Sequence, residues 1–262
     1  MAEAEQPRRP PIELEVEVEG TAEEVWTAIA TGPGISSWYV PHIVEEREGG
    51  AATASFGEGT EMQVSERVAV WDPPRRVVFD GGDADEGLAF EWLIESKSGG
   101  TCIVRLVNSG FIAGDEWDDY YEGMTEGWKI FLTNLELHCR HFRGQTATAS
   151  LPLATWLGPS DTAWHRLTSD LGIASAVNVG DRINIDVADA PELGGTVVAH
   201  TPHRINLLVD TPAVGTAFIA VEGRSGDAEV SVWTYLYGGD GAAASKRDGP
   251  RWRKWLTQRS ET

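Results

Sequence analysis

Two cysteines in 262 residues, Cys102 and Cys139, are too few for a disulfide framework. Long apolar runs are missing as well. No stretch approaches about 18 uninterrupted apolar residues, and the start, MAEAEQPRRPP, lacks the apolar segment of a signal peptide. Together these absences point to a reduced, cytoplasmic protein with no membrane span. Basic residues are scarce: 21 Lys and Arg stand against 41 Asp and Glu, a net charge of −20. So acidic a surface repels nucleic acid and anionic membranes. The imbalance is concentrated, with 28 acids and 11 bases over residues 1–145 and 13 and 10 over 146–262. There is no GxSxG elbow, Walker loop or dinucleotide fingerprint, so no catalytic residue and no cofactor is assigned from motifs. His138–His141 and His200–His203 have metal-like spacings. A helix C-terminus accounts for the first pair and a turn for the second, so no metal is assigned either.

What is present is hydrophobic patterning. Residues 1–11 read as a flexible tail. IELEVEVEG then alternates without a break, Ile12, Leu14, Val16 and Val18 on one face and glutamates on the other, as in a half-buried strand. Thr21 and Glu24 form a capping box at the head of a helix carrying Val25, Trp26 and Ile29, which Gly32-Pro33-Gly34 is expected to stop before a short helical turn in ISSWYVP. From residue 43 the period becomes two. IVEERE, AATASFG, EMQVSERVAVW, RRVVFDGG, LAFEWLIES and TCIVRLVNSGF read as an antiparallel meander. Glu91, Glu95 and Arg105 mark its outer face; Phe90, Trp92, Ile94, Cys102, Val104, Leu106 and Asn108 point inward, Cys102 buried and inert. Asp115 to Arg143 is one amphipathic helix of roughly 40 Å, its stripe running through Trp117, Tyr121, Met124, Trp128, Phe131, Leu135, His138 and Phe142.

A similar order then restarts. TAEEVWTAIATGPGISS aligns with SDTAWHRLTSDLGIAS at an offset of 138, and PRRVVF with PHRINL at 128. Trp26 falls on Trp164 and Ile29 on Leu167, while Trp38 falls on Ala176. So long a period is duplication of a whole domain. The second copy is expected to end in a shorter helix, roughly Gly249 to Arg259. There Trp252 and Trp255 cap the sheet while Arg251, Arg253 and Lys254 face outward. The expected layout is a domain over 12–144, a linker with a candidate first strand over 145–158, and a degenerate second domain over 159–262.

The first copy resembles the SRPBCC (START-like, helix-grip) superfamily and, within it, the AHSA-type homologues of the activator of heat-shock-chaperone ATPase. TAEEVWTAI, the tryptophan of GISSWYVP, RLVNSGF and EGMTEGWKIFLTNLELH, in that order and spacing, carry the resemblance. It implies an α+β fold of two tandem domains, each a curved antiparallel sheet wrapped on a C-terminal helix, with an apolar cavity between. The inward positions that would line it are Trp38, Phe56, Met62, Phe79, Phe90, Trp92, Asn108, Trp117, Tyr121 and Met124, Asn108 or Tyr121 orienting a ligand. Gly123 and Gly127 bare one strip of helix backbone, for a ligand or for close packing. The leading expectation is a non-catalytic protein holding a small hydrophobic molecule. A second is a chaperone-interaction module using the outer acidic face of Glu13, Glu15, Glu17, Glu91 and Glu95. A third is a cyclase- or hydrolase-like enzyme, for which His42, Tyr39 or Glu61 would have to supply an acid–base pair that the spacing does not display.

Overall fold

The computed structural model describes residues 8–57, 62–82, 87–112, 115–223 and 226–260, with backbone alone for 115–119. It divides into two compact units, Met1–Gly144 and Gln145–Thr262. Each unit has its own sheet and its own buried core.

In the first unit β1 (Ile12–Glu19) keeps its alternation, with Ile12 and Val18 buried and every glutamate exposed. The helix α1 (Ala22–Ala30) starts on a complete capping box: Glu24 N–H donates to Thr21 Oγ1 at 3.3 Å and Thr21 N–H to Glu24 Oε2 at 2.9 Å. The expected stop at Gly32-Pro33-Gly34 is instead the body of α2 (Gly32–Ile35), capped by Thr31. Proline fits a first helical turn, where its missing N–H is not needed. Gly34 is obligatory there, since a Cβ would lie 1.9 Å from the Thr27 carbonyl oxygen. Next come β2 (His42–Val44), β3 (Ala51–Ser55), β4 (Gln63–Asp72), β5 (Arg76–Asp80), β6 (Ala89–Ser96) and β7 (Thr101–Ser109). The strand expected in IVEERE is thus cut to three residues, because the chain turns back over 45–50 with Glu45 N bonded to Ala51 O at 2.8 Å. All neighbours are antiparallel, in the order β1-β7-β6-β5-β4-β3-β2.

The long helix is unbroken as α3 (Asp115–His141), ended by Gly144 at φ +72°. Its stripe of Trp128, Phe131, Leu135, His138 and Phe142 is buried, and the helix packs on β1. This sheet gripping one long helix is the helix-grip arrangement.

The second unit repeats the order. It contains β8 (Ala147–Ser150), β9 (Leu153–Trp156), α4 (Ser160–Asp170), β10 (Arg182–Ile185), β11 (Leu193–Thr201), β12 (Arg204–Thr211), β13 (Gly215–Glu222), β14 (Ala228–Tyr237) and α5 (Gly238–Ser260). The sheet runs β10-β11-β12-β13-β14-β8, with β9 on the other half of β14. Thus β8 and β9 together hold the place of β1, interrupted at Pro152. The expected short helix over 249–259 is a correction: α5 begins eleven residues earlier, at Gly238. Its first half has poor intrinsic propensity, but tertiary packing overrides that. Ala244, Ser245 and Asp248 are buried, Ser245 Oγ donates to Thr148 O at 3.0 Å, and Gly249 lies so close to Ser150 that a Cβ would stand 2.5 Å from its Oγ. Trp252 and Trp255 lie inside this unit's core, 3% and 1% exposed, while Arg251 pairs with Asp248 at 2.9 Å.

Candidate functional site

The inner face of the first sheet meets α1, α2 and α3 at a small cavity. Its walls are Ile29, Ile35, Trp38, Tyr39, His42, Glu66, Phe79, Phe90, Trp92 and Trp128. Edge-on aromatic contacts make up most of the wall: Trp38 to Trp92 at 5.4 Å, Trp92 to Trp128 at 5.5 Å, Phe90 to Trp128 at 5.6 Å. Tyr39 stands between Trp128 and Phe131 at 4.9 and 4.5 Å. The rings are locked by polar ties behind them. Trp38 Nε1 donates to Ala28 O at 2.9 Å, Asn134 Nδ2 donates to Trp38 O at 2.8 Å, and Trp128 Nε1 donates to Asn108 Oδ1 at 3.1 Å.

So packed, the cavity is about 20 Å³. That holds a single water molecule and is far below the ~300–1,000 Å³ of ligand pockets. Among the described residues, the space expected to be a ligand-sized hollow is therefore filled in this conformation by Trp38, Tyr39, Phe79, Phe90, Trp92 and Trp128.

Three polar side chains face this void. His42 is 4% and Glu66 9% exposed at the side chain, with Nε2 3.6 Å from Oε2. His42 Nδ1 lies 2.8 Å from Val40 O, a contact that a carbonyl accepts only from a protonated Nδ1. Nε2 is then left facing the Glu66 carboxyl. Glu66 Oε2 has no hydrogen-bond donor among the described residues. Tyr39 is buried beside this pair, and burial, with Glu66 adding to it, pushes its phenol far above the usual range.

Of the ten residues expected to line the cavity, Trp38, Phe79, Phe90 and Trp92 do so. Asn108 is fully buried behind Trp128, and its amide is used up between Trp128 and Ala89 O (3.2 Å). Phe56 reaches only Tyr39, edge-on at 6.1 Å, and Met62 lies against Gly57. Tyr121 packs on Phe111 at 4.9 Å under the Arg9 guanidinium, and Met124 is half-buried on α3 away from the wall. The Trp117 side chain and Glu61 lie outside the described residues. Motif reading misses Glu66 and Trp128 as wall residues. Glu66 had a signal, being a charged residue set between Val64 and Val68 in the same phase of β4.

No curated protein matches the chain. Among solved structures, a Bacillus halodurans protein is 22% identical, with 50% of this chain and 98% of that one covered at a TM-score of 0.44. The di-domain ARO/CYC BexL from the BE-7585A biosynthetic pathway is 15% identical, with 97% and 99% covered at 0.43. The Aha1 dimer from Colwellia psychrerythraea is 16% identical, with 52% and 100% covered at 0.43. Residues 19–139 match the family model described as Activator of Hsp90 ATPase homolog 1-like protein. They take in β2 to β7, the aromatic cavity and nearly all of α3, so the first unit is similar to that family over most of its length.

Proposed function

We propose that the first unit is a non-catalytic binding module for a small apolar molecule carrying one hydrogen-bond donor. The observation that supports this is the carboxylate oxygen of Glu66, buried among aromatic rings with no hydrogen-bond donor among the described residues. A buried acceptor left unpaired costs about 1–3 kcal/mol, and more if charged, so a folded chain keeps one where something else donates to it. The ligand enters by taking over the water-sized void and turning Phe79 and Phe90, wall rings that carry no polar group to tie them. The module should bind phenol more tightly than toluene, which has the same ring and no donor, by at least about tenfold in calorimetric titration. In Glu66→Leu the preference should vanish. Equal binding of the two by the wild type, or a preference that survives Glu66→Leu, rules the reading out.

A second reading, an acid–base enzyme, draws on His42 and Glu66, which together form the inward pair such chemistry requires. A small molecule co-purifying from the native host and recovered unchanged by mass spectrometry supports binding alone. One recovered altered by wild type but intact from Glu66→Gln supports catalysis. The chaperone-interaction reading has no comparable support. On the outer face Glu15, Glu17 and Glu91 are already engaged by Arg105, Thr101 and Arg76 at 3.3, 2.8 and 2.5 Å.

A further inference from the structure

The second unit carries a cavity of ligand size. It is about 740 Å³, half open, and runs between α4, the segment 173–177 and the tip of the β11–β12 hairpin. Trp164, Ile173, Val177, Pro202 and Ile205 supply its apolar surface, and His165, Ser175, His200 and Thr201 its polar edge. No Asp, Glu, Lys or Arg lines it.

The origin of this opening can be read residue by residue against the first unit. There the seam between α1 and the β4–β5 hairpin is shut by Trp26, edge-on to Trp71 at 4.9 Å. Trp71 holds the β4 position opposite Val77. Ile205 corresponds to Val77 in the alignment of PRRVVF with PHRINL, and His200 on β11 stands close to it across the hairpin, opposite Ile205. Trp26 is retained as Trp164, but Trp38 is replaced by Ala176, which lines the opening. Where Trp71 closes that seam the second copy has the imidazole of His200, and where Trp38 stands in the first unit's aromatic wall it has only the methyl group of Ala176. Trp26 is 8% exposed, whereas Trp164 is left only half-buried, with His203 at 6.3 Å as its ring neighbour.

We propose that this groove is a second, separate binding site, for an uncharged flat aromatic molecule that stacks on Trp164 and takes the space left beside His200 and Ala176. The lack of charged lining selects against ions, since a charge placed on apolar walls without a partner is costly. The imidazoles of His165 and His200 and the hydroxyls of Ser175 and Thr201 stand at the edge to orient a ring heteroatom.

Benzofuran, a flat bicycle with a ring oxygen and no hydrogen-bond donor, is the probe for the full chain. Saturable binding is expected by calorimetric titration, with amide shifts in a two-dimensional NMR spectrum confined to residues 164–177 and 200–205. His200→Trp and Ala176→Trp each refill part of the space from exposed positions and should weaken benzofuran at least about tenfold, the loss expected when a bicyclic aromatic contact is denied. Both variants should keep the wild-type melting temperature. Glu66→Leu, in the other unit, should leave the benzofuran isotherm and these shifts unchanged, because benzofuran offers Glu66 no donor. Absence of saturable binding to the wild type overturns the proposal. So does affinity undiminished in both tryptophan variants, or a set of shifts falling on residues 29–128 instead.

Discussion

His138 is 3% exposed on α3, and burial lowers its pKa from 6.5 to about 4. Unfolding frees the ring to take up a proton at its ordinary value. Between pH 6.5 and 4 the unfolded chain therefore binds more protons than the folded one, and stability falls as the pH falls through that window. Below about 4 both states are protonated and the loss levels off, having reached about 3 kcal/mol. In His138→Gln this contribution should disappear, so the stability of the variant relative to wild type should improve steadily from pH 7 to 4 in denaturant melts. A constant difference would show that another group is responsible. The thiols yield a simpler expectation. Burial pushes Cys139 up to about 12 and Cys102 in the same direction, and both are almost fully enclosed. Thiolate is the reactive form, so alkylation at pH 8, followed by intact mass, should be negligible in the folded protein and complete in denaturant. The inertness of Cys102 was legible in its strand pattern. Glu66 was harder to find, because an inward charge on a strand breaks the alternation on which strand reading relies, and it was not among the acid–base candidates His42, Tyr39 and Glu61.

At the scale of elements, α3 was legible almost to the residue because its apolar stripe repeats over 27 residues with acids at one end and bases at the other. Patterns that long outweigh local exceptions. The first half of α5 was not legible, since GGDGAAASKRDG is held as helix by contacts with β8 that only the folded sheet supplies. The two glycines inside α3 present the opposite case. A Cβ built at Gly123 or Gly127 meets nothing within 4 Å among the described residues, so neither a close strand nor a filled wall explains them. Gly123→Ala and Gly127→Ala should each stabilise the first unit by about 1 kcal/mol, the helix-propensity difference, with no loss of phenol binding. Stability unchanged or lowered would mean that this backbone strip is used by something that the folded chain alone does not present.

Across the molecule, the two units differ far more in charge than in architecture. Each sets an antiparallel meander, of six strands in one and five in the other, beside an earlier strand, and each has a separate core, around Val68, Val104 and Leu135 in one and Leu167, Leu207 and Val230 in the other. Yet residues 1–145 hold 28 acids against 11 bases, while 146–262 hold 13 against 10. Like charges so crowded destabilise a compact state by self-repulsion, and added salt screens them over about 10 Å at 0.1 M. Chains with two cores commonly unfold in more than one step. Calorimetry of the intact protein should therefore resolve two transitions that respond differently to salt. Between about 0.01 and 0.5 M sodium chloride, the transition that carries the His138 pH dependence should rise by several degrees, and the other should barely move. His138→Gln identifies which transition is which. A single transition, or two that shift together, would mean that the charge asymmetry along the chain does not act unit by unit.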